Sequence, residues 1–295
     1  MKYLTLLLSL LSLQVSASYL AHPDAEALIV ELVEEHNFER KFVEEVLLNA
    51  EKQDKIIESI SNPAEFTLTW DRYKNIFIEE KRIINGKKFI ENHLETFLKA
   101  EEEYGVPKEI VAAIIGVETR YGKIQGSYRV IDSLLTLGFD YPRRSKFFRS
   151  ELVKFFQLTR ENGLNIEEVK GSYAGAMGYG QFISSSYRAY AVDYDGDGYA
   201  DLFNSVDDAI GSVANYLYIH GWKKDGEIVT ATYPNNVRKI FEPRGSVSKF
   251  IPLSFKEGDN ELFFIGDDNF IAITKYNISH FYAMAVYYLS EELKK

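Results

Sequence analysis

The sequence predicts a mainly α chain of the α+β class, and three observations carry that expectation. Apolar residues recur at three- and four-residue spacing through most of residues 24–220, as they do on helix faces. Strand-like runs begin only beyond Gly221, which confines β structure to a small C-terminal portion. No repeat of 20–50 residues and no low-complexity linker is visible, so the pieces are expected to pack as one body.

Residues 1–17 read as an export signal. Lys2 gives the positive end, Leu4 to Leu13 the short apolar core, and Val15-Ser16-Ala17 a small-residue cleavage site. The run is too short to span a bilayer; the competing reading is a retained N-terminal anchor. The chain has no cysteine, so neither a disulfide framework nor a lipid-accepting thiol after the signal is available. The expected location is periplasmic: exported, soluble and not lipid-anchored. A formal charge of −10 argues against a nucleic acid as the main partner. The 20 Tyr and 20 Phe include flat, polar-tipped rings that suit sugars, although most are expected in the core.

Residues 18–95 form an N-terminal helical region. Leu28, Ile29, Leu32 and Val33 make one stripe, and Phe42, Val43, Val46 and Leu47 a second. Pro63 breaks the pattern, and a new helix is expected at Trp70-Asp71-Arg72-Tyr73. Phe89, Ile90, His93, Leu94, Phe97 and Leu98 mark a helix running up to Gly105, with His93 a packed residue rather than a ligand.

Residues 104–126, YGVPKEIVAAIIGVETRYGKIQG, hold the chemically suggestive acid. Gly105 suits a helix end and Pro107 a helix start. Ile110, Val111, Ile114 and Ile115 form an apolar face that ends at Glu118. Its helical neighbours are Ile114, Ile115, Tyr121 and Gly122, so no cation stands at pairing distance along the helix. A carboxyl held with little water and no cation stays protonated to higher pH, as general acid catalysis needs. The competing reading is a solvated Glu at a frayed helix end.

Val130, Ile131, Leu134 and Leu135 predict a short helix ended by Gly138. The next helix is expected from Pro142, with Arg143 and Arg144 in its first turn. Cations are unfavourable at that end of the dipole, so the pair either faces an anionic or polar ligand or is solvated. Residues 171–182, GSYAGAMGYGQF, form a glycine-rich loop that lets backbone lie close to a ligand. Its spacing matches neither dinucleotide nor P-loop fingerprints. Tyr187, Tyr190 and Ala191 then suggest a helix.

In DYDGDGYADLFN, residues 193–204, Asp193, Asp195 and Asp197 alternate before Gly198, as in the first half of an EF-hand loop. The carbonyl of Tyr199 would add an oxygen. The usual twelfth-position Glu is replaced by Asn204, so a closing carboxylate must come from Asp207 or Asp208. Asp208 has a rival role, because Ser205-x-x-Asp208 resembles a cap for the helix through His220. A structural Ca²⁺ is the expected cofactor, against a solvated acidic turn. With five scattered histidines, no HExxH and no cysteine, a zinc site is not indicated. Beyond Gly221, strands are expected at Val229–Thr232, Phe250–Phe255, Glu261–Ile265 and Phe270–Thr274. The last two would flank a hairpin turn at Gly266-Asp267-Asp268-Asn269. Phe281, Tyr282, Met284, Ala285, Tyr288 and Leu289 predict a final helix.

Taken in order, GVETRYG, YPRR, GSYAGAMGYGQF, the DGDG loop, AIGSVANY followed by HGW, and TKYN followed by HFYAMAV form a specific set. The set resembles the lytic murein transglycosylase B family over roughly residues 70–290. The resemblance implies a lysozyme-like helical core at 96–222 with an EF-hand-like calcium loop. It also implies a small β portion with a C-terminal helix at 223–295. It assigns Glu118 as the sole acid/base, and Tyr73, Arg143, Arg144, Ser172, Gln181, Tyr216, Asn277 and Tyr282 to the glycan cleft. Calcium ligands fall on Asp193, Asp195, Asp197, the Tyr199 carbonyl and a later Asp, Asp207 or Asp208. The implied partner is the peptidoglycan strand, met by a monomer. The implied reaction cuts the MurNAc-GlcNAc bond without water and leaves 1,6-anhydro ends. A hydrolytic muramidase and a non-catalytic wall-binding protein are the alternatives.

Overall fold

The computed structural model describes residues 18–61, 68–233 and 250–295; residues 1–17, read from the sequence as an export signal, and Pro63 lie outside the described residues. The chain divides into two compact units, Met1–Lys52 and Gln53–Lys295. In the first, α1 (Ala25–Glu34) buries Leu28, Ile29 and Leu32, and α2 (Arg40–Asn49) buries Val43, Val46 and Leu47. Phe42 leaves the expected stripe: it is 38% exposed and stacks on Phe38 instead.

The second unit begins with α3 (Asp54–Ser61), α4 (Trp70–Phe77), α5 (Glu80–Asn92) and α6 (Leu94–Tyr104). The single helix expected up to Gly105 is thus two. His93 leaves helical geometry at φ −124°, ψ 29°, and the break turns the buried face onto Phe97 and Ala100 while Leu94 and Leu98 become exposed. Gly105 caps α6 in the left-handed region at φ 68°, and Pro107 precedes α7 (Lys108–Thr119), as expected.

Helix α7 is the central strut. Residues Ile110–Val117 are buried on every side, which fits a helix without a polar face. It packs on α5, α6, α11 (Val206–Ile219) and most heavily on α13 (His280–Lys294). Gly116 makes one approach possible: a Cβ there would lie 2.7 Å from the Tyr121 phenol.

Helix α8 (Val130–Phe139) is buried throughout and runs past Gly138. Pro142–Arg144 form a separate 3₁₀ turn, and α9 (Ser145–Glu161) starts only afterwards. Arg143 and Arg144 therefore precede the helix, and the dipole argument for a ligand facing them does not apply.

Strands β1 (Tyr128–Arg129) and β2 (Lys170–Gly171) pair antiparallel around the start of the glycine loop, and α10 (Ser184–Tyr190) follows it. The C-terminal sheet has the order β3 (Val229–Ala231), β5 (Asn260–Gly266), β4 (Ile251–Glu257), all antiparallel. The tight turn lies between β4 and β5, with Gly258 at φ 59°, and not at Gly266–Asn269. There Asp267 accepts from the Asp268 N–H and caps α12 (Asp268–Tyr276). The expected Phe270–Thr274 strand is this helix, whose Phe270 and Ile273 are buried three residues apart. A five-residue apolar run carries no period that separates the two conformations; the capping Asp does.

Candidate active site

Glu118 stands half-buried in the last turn of α7. The chain leaves that helix through three consecutive left-handed residues, Arg120 (φ 53°), Tyr121 (φ 61°) and Gly122 (φ 80°). Such a run is costly for residues with a Cβ and is held by surrounding contacts. The Tyr121 ring fills the space left by Gly86 and Gly116, and a Cβ on Gly122 would lie 2.0 Å from the Tyr179 ring. Thr119 locks the turn: its hydroxyl donates to the Tyr179 carbonyl at 2.8 Å and accepts from the Gly122 N–H at 3.0 Å.

Two phenols face Glu118. Tyr282, two residues into α13, is buried, and burial followed by the Glu118 charge holds its pKa well above the usual phenol value. Its hydroxyl lacks a fully formed hydrogen bond, yet Glu118 acts on it as an incipient acceptor. Loose contacts of this kind tighten when substrate completes a site. Tyr276, at the end of α12, is raised in the same way by burial first and Glu118 second. It donates to the Gly180 carbonyl and so pins the glycine loop. Both groups stay neutral donors over the working pH range.

The sequence does not single out Tyr276; its only signal is its place beside Asn277 in TKYN. Behind it, Tyr216 packs edge-on at 4.8 Å, donates to the Lys275 carbonyl at 2.6 Å and stacks on His220 at 4.0 Å. Tyr216 is 8% exposed and Tyr73 only 2%, the latter packed on Phe77 and Phe281. These two expected cleft residues back the site and offer little surface to a sugar.

On the glycine loop the Ser172 hydroxyl accepts from the Ala174 and Ala176 N–H groups. Gln181 adopts φ 51°, and its Nε2 donates to the Gln125 and Gly178 carbonyls. Both expected binding residues are therefore also loop braces. Arg143, Arg144 and Asn277 do come together, in a groove of about 850 Å³ that Tyr141, Tyr173 and His280 also line. Partial desolvation of its ring lowers the His280 pKa. Asn277 and Phe281 in the groove wall are the chain neighbours of Tyr276 and Tyr282, which places the groove beside the Glu118 cluster.

In the aspartate loop, carboxylate oxygens of Asp193, Asp195 and Asp197 lie within 4.8 Å of one another. Asp193 accepts from the Gly196, Asp197 and Gly198 N–H groups, and Ser205 donates to Asp195 at 2.7 Å. Asp208 is fully buried and spends both oxygens on the Tyr194, Asp195 and Asp201 N–H groups. Asp207 accepts from the Thr96 hydroxyl at 2.6 Å, directed at α6. Neither aspartate joins the converging set: Asp207 is directed away to Thr96 on α6, and Asp208 is enclosed among the backbone amides of the loop. Ser205 caps α11 by accepting from the Asp208 N–H, the capping half of the expected pair. Three converging hard oxygens on an exposed turn fit a hard divalent cation.

Residues 21–291 match the family model described as Transglycosylase SLT domain. The chain is 36% identical to the membrane-bound lytic murein transglycosylase B of Escherichia coli K12, over 95% of this chain and 85% of that protein. Among solved structures it is similar to the E. coli lytic transglycosylase Slt35 in complex with calcium. That match has a TM-score of 0.83 and 36% identity over 93% of each chain. It is also similar to SltB3 from Pseudomonas aeruginosa in complex with NAG-anhNAM-pentapeptide. There the TM-score is 0.79, with 26% identity over 92% of this chain and 78% of that one. The expected mainly α fold with small sheets is the fold shared with these structures.

Proposed function

The chain belongs to the transglycosylase SLT family, and on that premise we propose that Glu118 is the proton shuttle with which it cleaves peptidoglycan. The enzyme is a lytic transglycosylase, and its substrate is the glycan strand. The observation that carries the reading is the placement of one half-buried carboxyl against the buried Tyr282 phenol and the half-buried Tyr276, next to a groove lined by Arg143, Arg144 and Asn277.

Glycosidases that add water ordinarily use two carboxylates, about 5 Å apart for retention and wider for inversion. Glu118 is the carboxylate whose charge reaches both phenols. Protonated Glu118 donates to the oxygen leaving C1 of the muramic acid as the C1–O bond breaks. The N-acetyl oxygen of the same sugar supports the positive charge, as in substrate-assisted glycosidases. Tyr282 donates to the carboxylate that results and stabilises it. The carboxylate then takes the proton of the C6 hydroxyl while that oxygen bonds to C1, closing the 1,6-anhydro ring and restoring the acid. Ser172 and Gln181 brace the glycine loop beside the site, where Ser172 is the partner for the N-acetyl group and Gln181 for Glu118 or a substrate amide.

Asp193, Asp195 and Asp197 would hold a calcium ion, with the Tyr199 carbonyl as a further oxygen. Its contribution would be structural: it would offset two of the three clustered negative charges and fix the loop. The E. coli structure with calcium supports this assignment. The protein is read as exported to the periplasm. No helix among the described residues is long and apolar enough to cross a membrane, and the chain has no cysteine.

Incubation of purified sacculi tests the assignment. Wild-type protein should release soluble muropeptides, and Glu118→Gln should release none while melting at the same temperature. Release by the Gln variant would move the acid to another residue. A wild type that binds sacculi without shortening them would favour a wall-binding protein.

A further inference from the structure

Three segments far apart in sequence meet at Gln125. Its Nε2 donates to the Phe203 carbonyl at 3.1 Å, at the end of the aspartate loop. Its own carbonyl accepts from Gln181 Nε2 at 3.1 Å, on the glycine loop. It stands three residues beyond Gly122, the last left-handed residue of the turn that ends α7. A second tie runs in parallel, because the Tyr179 N–H donates to the Leu202 carbonyl at 2.9 Å. Tyr179 in turn accepts from Thr119, the residue after Glu118. The contact between the two loops is close: a Cβ on Gly178 would lie 2.3 Å from the Leu202 carbonyl oxygen.

The aspartate loop is also continuous internally. Asp208 holds the Tyr194, Asp195 and Asp201 amides, and Asp201 holds those of Phe203 and Asn204. A cation drawing Asp193, Asp195 and Asp197 together therefore acts on a hydrogen-bonded frame whose far end is Leu202–Phe203. That end is bonded to the loop carrying Gln181.

We propose that Gln125 is a positioning residue that transmits cation binding in the aspartate loop to the Gly178–Phe182 segment of the catalytic site. The inference rests on the calcium assignment made above. Gln125 touches no reacting atom; it sets where the Gln181 side chain stands relative to Glu118. An aliphatic side chain of similar length keeps the backbone tie to Gln181 but loses the bond to Phe203.

Hydrogen exchange on the full chain, with and without calcium, tests the coupling, alongside calorimetric titration of calcium into the same samples. In the wild type, calcium should slow exchange at the Tyr179 and Gln181 amides by about tenfold, a size usual for linked sites. In Gln125→Met, calcium should bind with similar affinity, yet its effect at Gln181 should fall to within about twofold. Gln125→Lys, which keeps a donor for the Phe203 carbonyl, should retain most of the effect. An equal calcium-induced slowing at the Gln181 amide in wild type and Gln125→Met would overturn the proposal, whatever the parallel Leu202–Tyr179 tie does at Tyr179. So would wild-type protection that stops at Phe203, a result that needs no variant to fold. Absence of calcium binding to the wild type would overturn the calcium assignment itself and the coupling with it, and the calorimeter separates that outcome from the others.

Discussion

Two acidic centres share this chain, and they are built on opposite plans. Glu118 is a single carboxyl at the end of a buried apolar helix, faced by the neutral phenols of Tyr276 and Tyr282. Asp193, Asp195 and Asp197 are clustered and exposed, and they accept from backbone amides of their own turn. A carboxyl with uncharged donors and restricted water is suited to gaining and losing a proton. Carboxylates crowded together in water repel one another and are suited to sharing a cation. What surrounds the acid, rather than the acid itself, separates proton chemistry from metal binding.

The contrast is tested most severely at Glu118. Glu118→Gln keeps shape and hydrogen bonding but cannot donate the proton, and turnover of sacculi should fall by about 10³-fold with an unchanged melting temperature. The opposite pattern is expected at the second centre. Removing calcium with a chelator should lower the melting temperature, by the equivalent of about 2.7 kcal/mol where calcium had stood at 100 times its Kd. An unchanged melting temperature would reduce the aspartate turn to a solvated loop.

Tyr282→Phe sharpens the role of the phenols. A donor to the carboxylate favours its charged form, so its loss should lower kcat by about tenfold and move the alkaline limb of kcat/KM to higher pH. A KM effect alone would make Tyr282 a packing residue. Arg143→Ala and Arg144→Ala, on exposed groove residues, should each raise KM by about fivefold with little change in kcat, the signature of lost uniform binding.

The smallest effect concerns His280. Although the residue is exposed, partial desolvation of its ring lowers its pKa, so the fold slightly favours the neutral form. Its contribution to stability is present above the unfolded value of about 6.5 and is lost as pH falls through the folded one. Melting temperature should therefore drop slightly between pH 7 and pH 5, and His280→Gln should flatten that slope.

What the sequence disclosed was local. The Gly105–Pro107 punctuation, the apolar face ending at Glu118 and the alternating aspartates are fixed within a few residues, and each stands where its spacing put it. What it concealed depends on partners distant in the chain. Tyr276 matters because its phenol reaches Gly180 across almost a hundred residues, and Gln125 because it meets Phe203 and Gln181. By position either Asp207 or Asp208 can close the loop, with Asp208 also a capping candidate; the structure directs Asp207 to Thr96 and Asp208 to the amides of the loop. The helix at Asp268–Tyr276 looks like a strand in the sequence because its β-branched and aromatic residues outweigh a single capping aspartate.

The central claim is that one carboxyl moves both protons and the sugar's own hydroxyl replaces water. Digestion of sacculi in ¹⁸O-enriched water, followed by mass spectrometry of the released fragments, tests it most directly. The prediction is 1,6-anhydro ends that carry no label. Reducing ends bearing ¹⁸O at the newly cut position would contradict it and require a hydrolytic water at this site.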